Sequence, residues 1–379
     1  MPQLRCSLLY VAILAALLLA ACSSGDVEED EDFEDGGATP KTVASRREWP
    51  EPPAEPVLAD RLPRVRHWLY LIDVNLDDET VGQIAESEHD LVVLDFIPSE
   101  AQNTDYLMAA VIERLHASRE GRLVVAYVDI GQAESYRTYW GERWEVGDPD
   151  WIVGADPDGW AENFPVAFWR GEWREIWLGD GGYLEGILGL GFDGVYLDWV
   201  EAYSDDHVLE VAARDGVDAR EEMIRWVGDI AAFARERRTG FIVIAQNAAE
   251  LAEDDGYLGI IDAIAQEQVW FDGGADNLPP GDCPLPRTTA EIDTDEYYDS
   301  LSADCRRQFD EFPDSTLHVS SEEYLLDLAL ARSKGVTILT VDYALEAENI
   351  AWVFETSRAL GFIPVVSNRS LDQFVEPVP

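Results

Sequence analysis

From Leu62 onward, short apolar runs alternate with longer segments in which apolar residues return every three or four positions. The runs are Trp68–Ile72, Leu91–Ile97, Leu123–Asp129, Val195–Asp198, Phe241–Ala245, Ile261–Glu267, Val336–Val341 and Phe362–Val366. Their near-continuous apolar character suits strands covered on both faces. Helical spacing is read over Asp105–Ser118, Ala219–Arg238, Ser321–Ser333 and Glu346–Leu360. This pattern predicts an α/β fold, a (β/α)8 TIM barrel occupying residues 62–379. An open doubly wound sheet is the alternative, but no Gly-rich phosphate loop follows the first run.

Two interruptions break the rhythm. A long segment after strand 3, Ile130 to about Gly182, carries Tyr136, Tyr139, Trp140, Trp144, Trp151, Trp160, Phe164, Phe168, Trp169, Trp173 and Trp177. Indole faces suit the C–H patches of sugar rings, but most of these aromatics are expected to pack the segment onto the body. An acidic, Pro-rich loop after strand 6 contains Cys283 and Cys305.

The amino-terminal part does not share the pattern. Residues 1–21 read as an export signal: Arg5, then an apolar run from Leu8 to Ala21, too short for a comfortable membrane span. Leu19-Ala20-Ala21-Cys22 resembles a bacterial lipobox, which makes Cys22 the candidate lipidation site and predicts attachment to a membrane through that lipid. Residues 22–61, acidic from Asp26 to Asp35 and then Pro-rich, read as a disordered tether. The chain is therefore expected to be exported, lipid-anchored at the cell envelope or surface, and monomeric. With Cys6 in the signal and Cys22 lipidated, Cys283 and Cys305 remain to form a disulfide.

Formal net charge is −49, from 76 acidic and 27 basic residues, and only Lys41 and Lys334 are lysines. That balance excludes nucleic acid as a partner. It fits a salt-adapted surface, or attraction of a cationic substrate. The five histidines are scattered and no CxxC or HExxH occurs, so neither a metal site nor a cofactor is expected.

The candidate chemistry lies at the strand ends. Asp73, Asp95, Asp129, Asp198, Glu267 and Asp342 each close a strand, and a barrel gathers those ends on its carboxy-terminal face. Converging carboxylates are what glycoside hydrolysis needs, one to protonate the leaving oxygen and one to attack or activate water. Some of them are instead expected to cap helices.

Tyr127-Val128-Asp129-Ile130-Gly131-Gln132-Ala133-Glu134-Ser135-Tyr136-Arg137 resembles the AYLSIGEAEDYR signature of glycoside hydrolase family 114, the endo-α-1,4-polygalactosaminidases. Gly191–Glu201 is similar to that family's GFDGVYLD strand, Gln246-Asn247 to its PQN turn, and Ala265-Gln266-Glu267 with Val269-Trp270 to its later glutamate strand. The resemblance spans about Leu62 to Val366. It implies an endo-acting glycosidase on α-1,4-linked galactosamine polymer, with Asp198 and Glu267 as the catalytic pair, by position nucleophile and acid/base. Asp129 stands where the family has Ser, and Gln132 where it has Glu, which bears on the exact sugar and linkage. Around the pair, Asp73, Asp95, Tyr127, Asp129, Glu134, Trp199, Glu201, Asn247, Trp270 and Asp342 are the candidates for holding a cationic polysaccharide, while Arg137 either neutralises a carboxylate or fixes Glu134. A lipoprotein that binds glycan on the same barrel without cutting it is the rival reading.

Overall fold

The computed structural model describes residue 62 and residues 64–96, 107–157, 159–274, 281–313 and 315–378. The expected signal (1–21), Cys22 and the tether (22–61) lie outside the described residues.

Eight parallel strands form one sheet in sequence order: β1 Trp68–Leu71, β2 Leu91–Asp95, β3 Leu123–Asp129, β4 Gly194–Asp198, β5 Ile242–Gln246, β6 Ala263–Glu267, β7 Thr337–Asp342 and β8 Ile363–Val366. The sheet curls until its ends meet, where Trp68 Nε1 on β1 donates to Ile363 O on β8 at 2.9 Å. The fold is the (β/α)8 barrel that the apolar rhythm predicts.

Alternation along each strand divides the core in two. Leu69, Leu71, Val92, Leu94, Val124, Ala126, Val195, Leu197, Val243 and Ile264 face outward, under the helices. Trp68, Tyr70, Leu91, Val93, Val125, Tyr127, Tyr196, Ile242, Ile244, Ala263, Ala265, Leu339 and Val341 fill the interior. Tyr70 and Tyr196 lie 4.7 Å apart there, centroid to centroid, so the barrel is a packed core rather than a pore.

Two local outcomes differ from the sequence reading, and a third, the disulfide, agrees with it. A helix at Asp78–Glu86 was not expected; it starts on Asp77, whose carboxylate accepts from Glu79 N and Thr80 N, and buries only Val81 and Ile84. So sparse an apolar stripe leaves little periodic signal. The aromatic interruption is partly regular, pairing Gln132–Glu134 with Asn163–Pro165 and ending in helix Gly171–Leu178. Trp151, Phe168, Trp173 and Trp177 are buried in it, so they serve packing. Cys283 and Cys305 are joined, closing the loop after β6.

Candidate active site

The inward face of each strand, followed upward, leads to one place. Two residues past Val93 is Asp95, past Tyr196 is Asp198, past Ile244 is Gln246, past Ala265 is Glu267, and past Val341 is Tyr343. With a side-chain period of two, all of these point into the mouth of the barrel. Asp95, Asp198, Gln246 and Glu267, together with Tyr127, line a cleft of about 870 Å³ there.

The turns that follow are strained in a consistent way. Trp199, Asn247 and Gln268, each directly after a strand-ending polar residue, take φ of 55°, 57° and 55°. Left-handed backbone at non-glycine residues is costly, and such strain gathers at functional sites. Here it turns the Trp199 N–H back onto Asp198 Oδ1 at 2.7 Å.

Asp198 and Glu267 are held differently. Asp198 Oδ2 accepts from Tyr127 Oη at 2.5 Å, so both its oxygens are engaged. Burial, then the charge of Glu267, push the Asp198 carboxyl up to about 7, against the pull of its two hydrogen bonds. Glu267 accepts from Gln246 Nε2 and Tyr343 Oη, and from Asn247 Nδ2 at 3.3 Å. Gln246 is oriented in turn by Tyr70 Oη, which donates to its Oε1 at 3.0 Å. Burial raises the Tyr70, Tyr127 and Tyr343 hydroxyls well above the usual range, which keeps them protonated as donors. Asn247 also donates to Glu201 Oε1 at 2.7 Å, while Glu201 Oε2 is buried without a partner. Burial and the charge of Asp198 raise the Glu201 carboxyl as well.

The other sequence candidates divide by position. Asp73, Asp95, Tyr127, Trp199, Glu201 and Asn247 line the cleft. Asp95 is at the same time bound to Arg137 Nη1 at 2.5 Å, and Glu134 to Arg137 Nε at 2.7 Å, in a buried cluster. Glu134 thus anchors the insertion and does not line the cleft. Asp129 is buried and accepts from Gly131 N at 3.0 Å and Gln132 N at 2.7 Å, a turn-capping role. Trp270 and Asp342 are placed away from the cleft, correcting their assignment to substrate. Asp342 shares the outward parity of Ile338 and Thr340 and accepts from Trp270 N at 2.7 Å. Trp270 turns its indole N–H outward to Ser357 Oγ at 2.8 Å.

Several lining residues escaped the sequence reading. Gln246 and Tyr70 could have been found from the inward parity of their strands, as could Tyr343, which meets Glu267 without lining the cleft. Trp160, Asp156 and Arg369 could not, because only the folded path of the insertion and the carboxy-terminal segment brings them to the cleft. Among the described residues no cluster of three or more His, Cys, Asp or Glu side chains is arranged to hold a metal ion. What the arrangement offers is a half-buried Asp and a buried Glu in one cleft, the Asp198 carboxyl pushed up to about 7.

Comparison with known proteins supplies the context. A model of glycoside-hydrolase family GH114 matches residues 59–378. An uncharacterized protein of Deinococcus radiodurans is 31% identical over 363 residues, which cover 96% of this chain and 98% of that protein. An uncharacterized protein of Thermotoga maritima is 34% identical over 197 residues, 51% of this chain and 56% of that protein. Among solved structures, Aspergillus fumigatus Ega3 in complex with galactosamine is similar in fold, with a TM-score of 0.50 and 16% identity, covering 83% of this chain and 95% of that one.

Proposed function

The chain belongs to glycoside-hydrolase family GH114, and on that premise we propose that it is an endo-acting hydrolase of α-1,4-linked polysaccharide containing galactosamine. The observation that carries this reading is the convergence of Asp198 and Glu267 on one cleft, each carboxylate fixed by its own hydrogen-bond donors. Asp198 is the attacking carboxylate and Glu267 the acid/base, the order that the motif resemblance implies. With both oxygens engaged, Asp198 is held in one orientation, as attack on an anomeric carbon requires. An ammonium group of the substrate near Asp198 favours its ionised form, as attack requires. The surplus of cleft carboxylates suits a cationic amino-sugar polymer, and high salt weakens that attraction.

The reading extends to location: the protein is exported and held at the cell envelope by lipid on Cys22, with the acidic segment 22–61 as spacer, and acts as a monomer. Labelling of the full chain by a fatty-acid analogue, abolished by Cys22→Ser, tests the anchor; unchanged labelling refutes it.

The decisive experiment is digestion of polygalactosamine, with release of soluble oligosaccharide and of reducing ends as the readouts. Asp198→Asn and Glu267→Gln should each lower turnover about 10²- to 10⁴-fold, the usual worth of such a group, with unchanged circular dichroism. Products with the anomeric configuration retained accord with attack by Asp198. Binding of polymer without formation of any reducing end would make the barrel a glycan-binding protein instead.

A further inference from the structure

Packing accounts for most tryptophans of the insertion after β3. Trp151, Trp173 and Trp177 belong to the outer core, and Trp140, Trp144 and Trp169 pack against it. Trp160 belongs to neither group. It is half-buried and, among the described residues, is the one tryptophan of the insertion that lines the cleft. A large ring held at a cleft wall without a packing role is a candidate contact for a ligand.

One buried amide sets its position. Gln132, 2% exposed, donates from Nε2 to Asp156 Oδ2 at 2.6 Å, and its Oε1 accepts from Asn163 Nδ2 at 3.1 Å. Asp156 Oδ1 accepts from Trp160 N at 2.8 Å, and Asn163 N donates to Trp160 O at 2.9 Å. Both backbone polar groups of Trp160 are thus held by the two residues that Gln132 bridges. A side-chain amide suits this place, because it donates to a carboxylate and accepts from a second amide at once. A carboxylate there would face that of Asp156. The Arg369 guanidinium lies 5.4 Å from the Trp160 ring centroid, and two residues on, Leu371 O accepts from Ile72 N at 2.9 Å, directly after β1. Trp160 therefore stands on the β1 side of the mouth. In the closed barrel β1 is three strands from β4 and three from β6, so this wall lies across the mouth from Asp198 and Glu267.

We infer that Trp160 is a sugar-binding wall of the cleft and that Gln132 is its positioning residue, acting through Asp156 and Asn163. A sugar unit of the polymer packs its C–H face against the indole while the scissile bond lies at Asp198 and Glu267. A contact to a unit away from the reacting bond is equally strong before and in the transition state, so it sets binding rather than the chemical step. This inference rests on the glycan-hydrolase reading above and adds the residues that build one sugar subsite.

The test is steady-state kinetics on α-1,4-galactosamine oligomers. Trp160→Ala should raise KM about tenfold, the worth of one ring contact, and change kcat by less than about threefold. Gln132→Glu sets two carboxylates against each other and should raise KM to a similar extent. Adding Asp156→Asn to it rebuilds the same bonds with donor and acceptor exchanged, the amide at 156 now donating to the carboxylate at 132, and should bring KM back toward the wild type. A wild-type KM in Trp160→Ala or Gln132→Glu overturns the inference, as does a folded double variant without recovery, or a loss confined to kcat. A second readout needs no turnover. In Asp198→Asn with ¹⁵N-labelled indoles, the Trp160 Nε1–H signal, assigned by its absence in Trp160→Ala, should shift on adding the oligomer. That shift should be lost with Gln132→Glu and return with the double substitution. If the wild type cleaves none of the oligomers, the proposed function fails separately, and the titration still decides: a shifted Trp160 signal supports the wall, and an unmoved one refutes it.

Discussion

Tyr127 Oη donates to Asp198 Oδ2 across 2.5 Å, from a strand that pairs directly with the one bearing Asp198. The β3–β4 register sets Tyr127 opposite Tyr196, one inward step below Asp198, so the hydroxyl reaches up from the floor of the cleft. This hydrogen bond stabilises the ionised carboxylate against the burial that raises it to about 7. Tyr127→Phe should raise that carboxyl further. If turnover needs ionised Asp198, the rate climbs as pH rises through its pKa, and the variant's acidic limb moves to higher pH by about one to two units. A pH–rate profile of kcat/KM checks this; an unmoved limb would remove Asp198 from the rate-limiting ionisation.

Arg137 joins Asp95 at 2.5 Å and Glu134 at 2.7 Å, with side chains only 4%, 6% and 3% exposed. Removing the guanidinium takes the ion-pair partner from two buried carboxylates. Arg137→Met should cost about 3–5 kcal/mol in urea unfolding. Replacing all three residues by apolar ones should recover much of the loss, because the burial penalty goes with the charges.

Asp342 is fully buried, with one oxygen accepting from Trp270 N and Phe271 N and the other without a partner. Burial raises its carboxyl to about 7, above its unfolded value. A raised acid binds its proton more tightly when folded, so stability is greatest below the unfolded pKa and declines as pH rises toward 7. Asp342→Asn keeps the accepting oxygen and cannot ionise. Relative to the variant, the wild type should lose up to roughly 4 kcal/mol between pH 4 and 8, read from denaturant midpoints.

The disulfide staples a segment whose far side forms part of the cleft, through Phe312, Ser315 and Thr316. Ser315 Oγ and Thr316 Oγ1 donate to buried Asp272 at 2.8 and 2.7 Å. Cys283→Ser with Cys305→Ser should lower stability by about 2–4 kcal/mol and weaken polymer binding more than it lowers turnover of bound substrate. Calorimetry paired with steady-state kinetics separates the two effects.

The legibility of this molecule in its sequence followed the reach of each signal. Strands buried on both faces leave continuous apolar runs, so all eight were readable, and with them the barrel. Asp198 and Glu267 were readable because each ends such a run within a motif. The helix at Asp78–Glu86, which buries only two residues, was not. Reading Asp342 as equivalent to Glu267 ignored strand parity: Asp342 follows outward-facing Thr340, and Glu267 follows inward-facing Ala265.

The sequence by itself therefore determined the barrel, its carboxy-terminal rim and the arrival of Asp198 and Glu267 there, because these depend on periodicity and local order along the chain. Only the tertiary structure decided how those carboxylates are held and which neighbours reach the cleft. Tyr343 and Gln246 meet Glu267, Tyr127 meets Asp198, and Arg369 meets Trp160 through closure of the sheet and the folded path of two long segments. Such contacts join residues far apart in the chain, and their effect on a proton depends on burial, which no local pattern encodes.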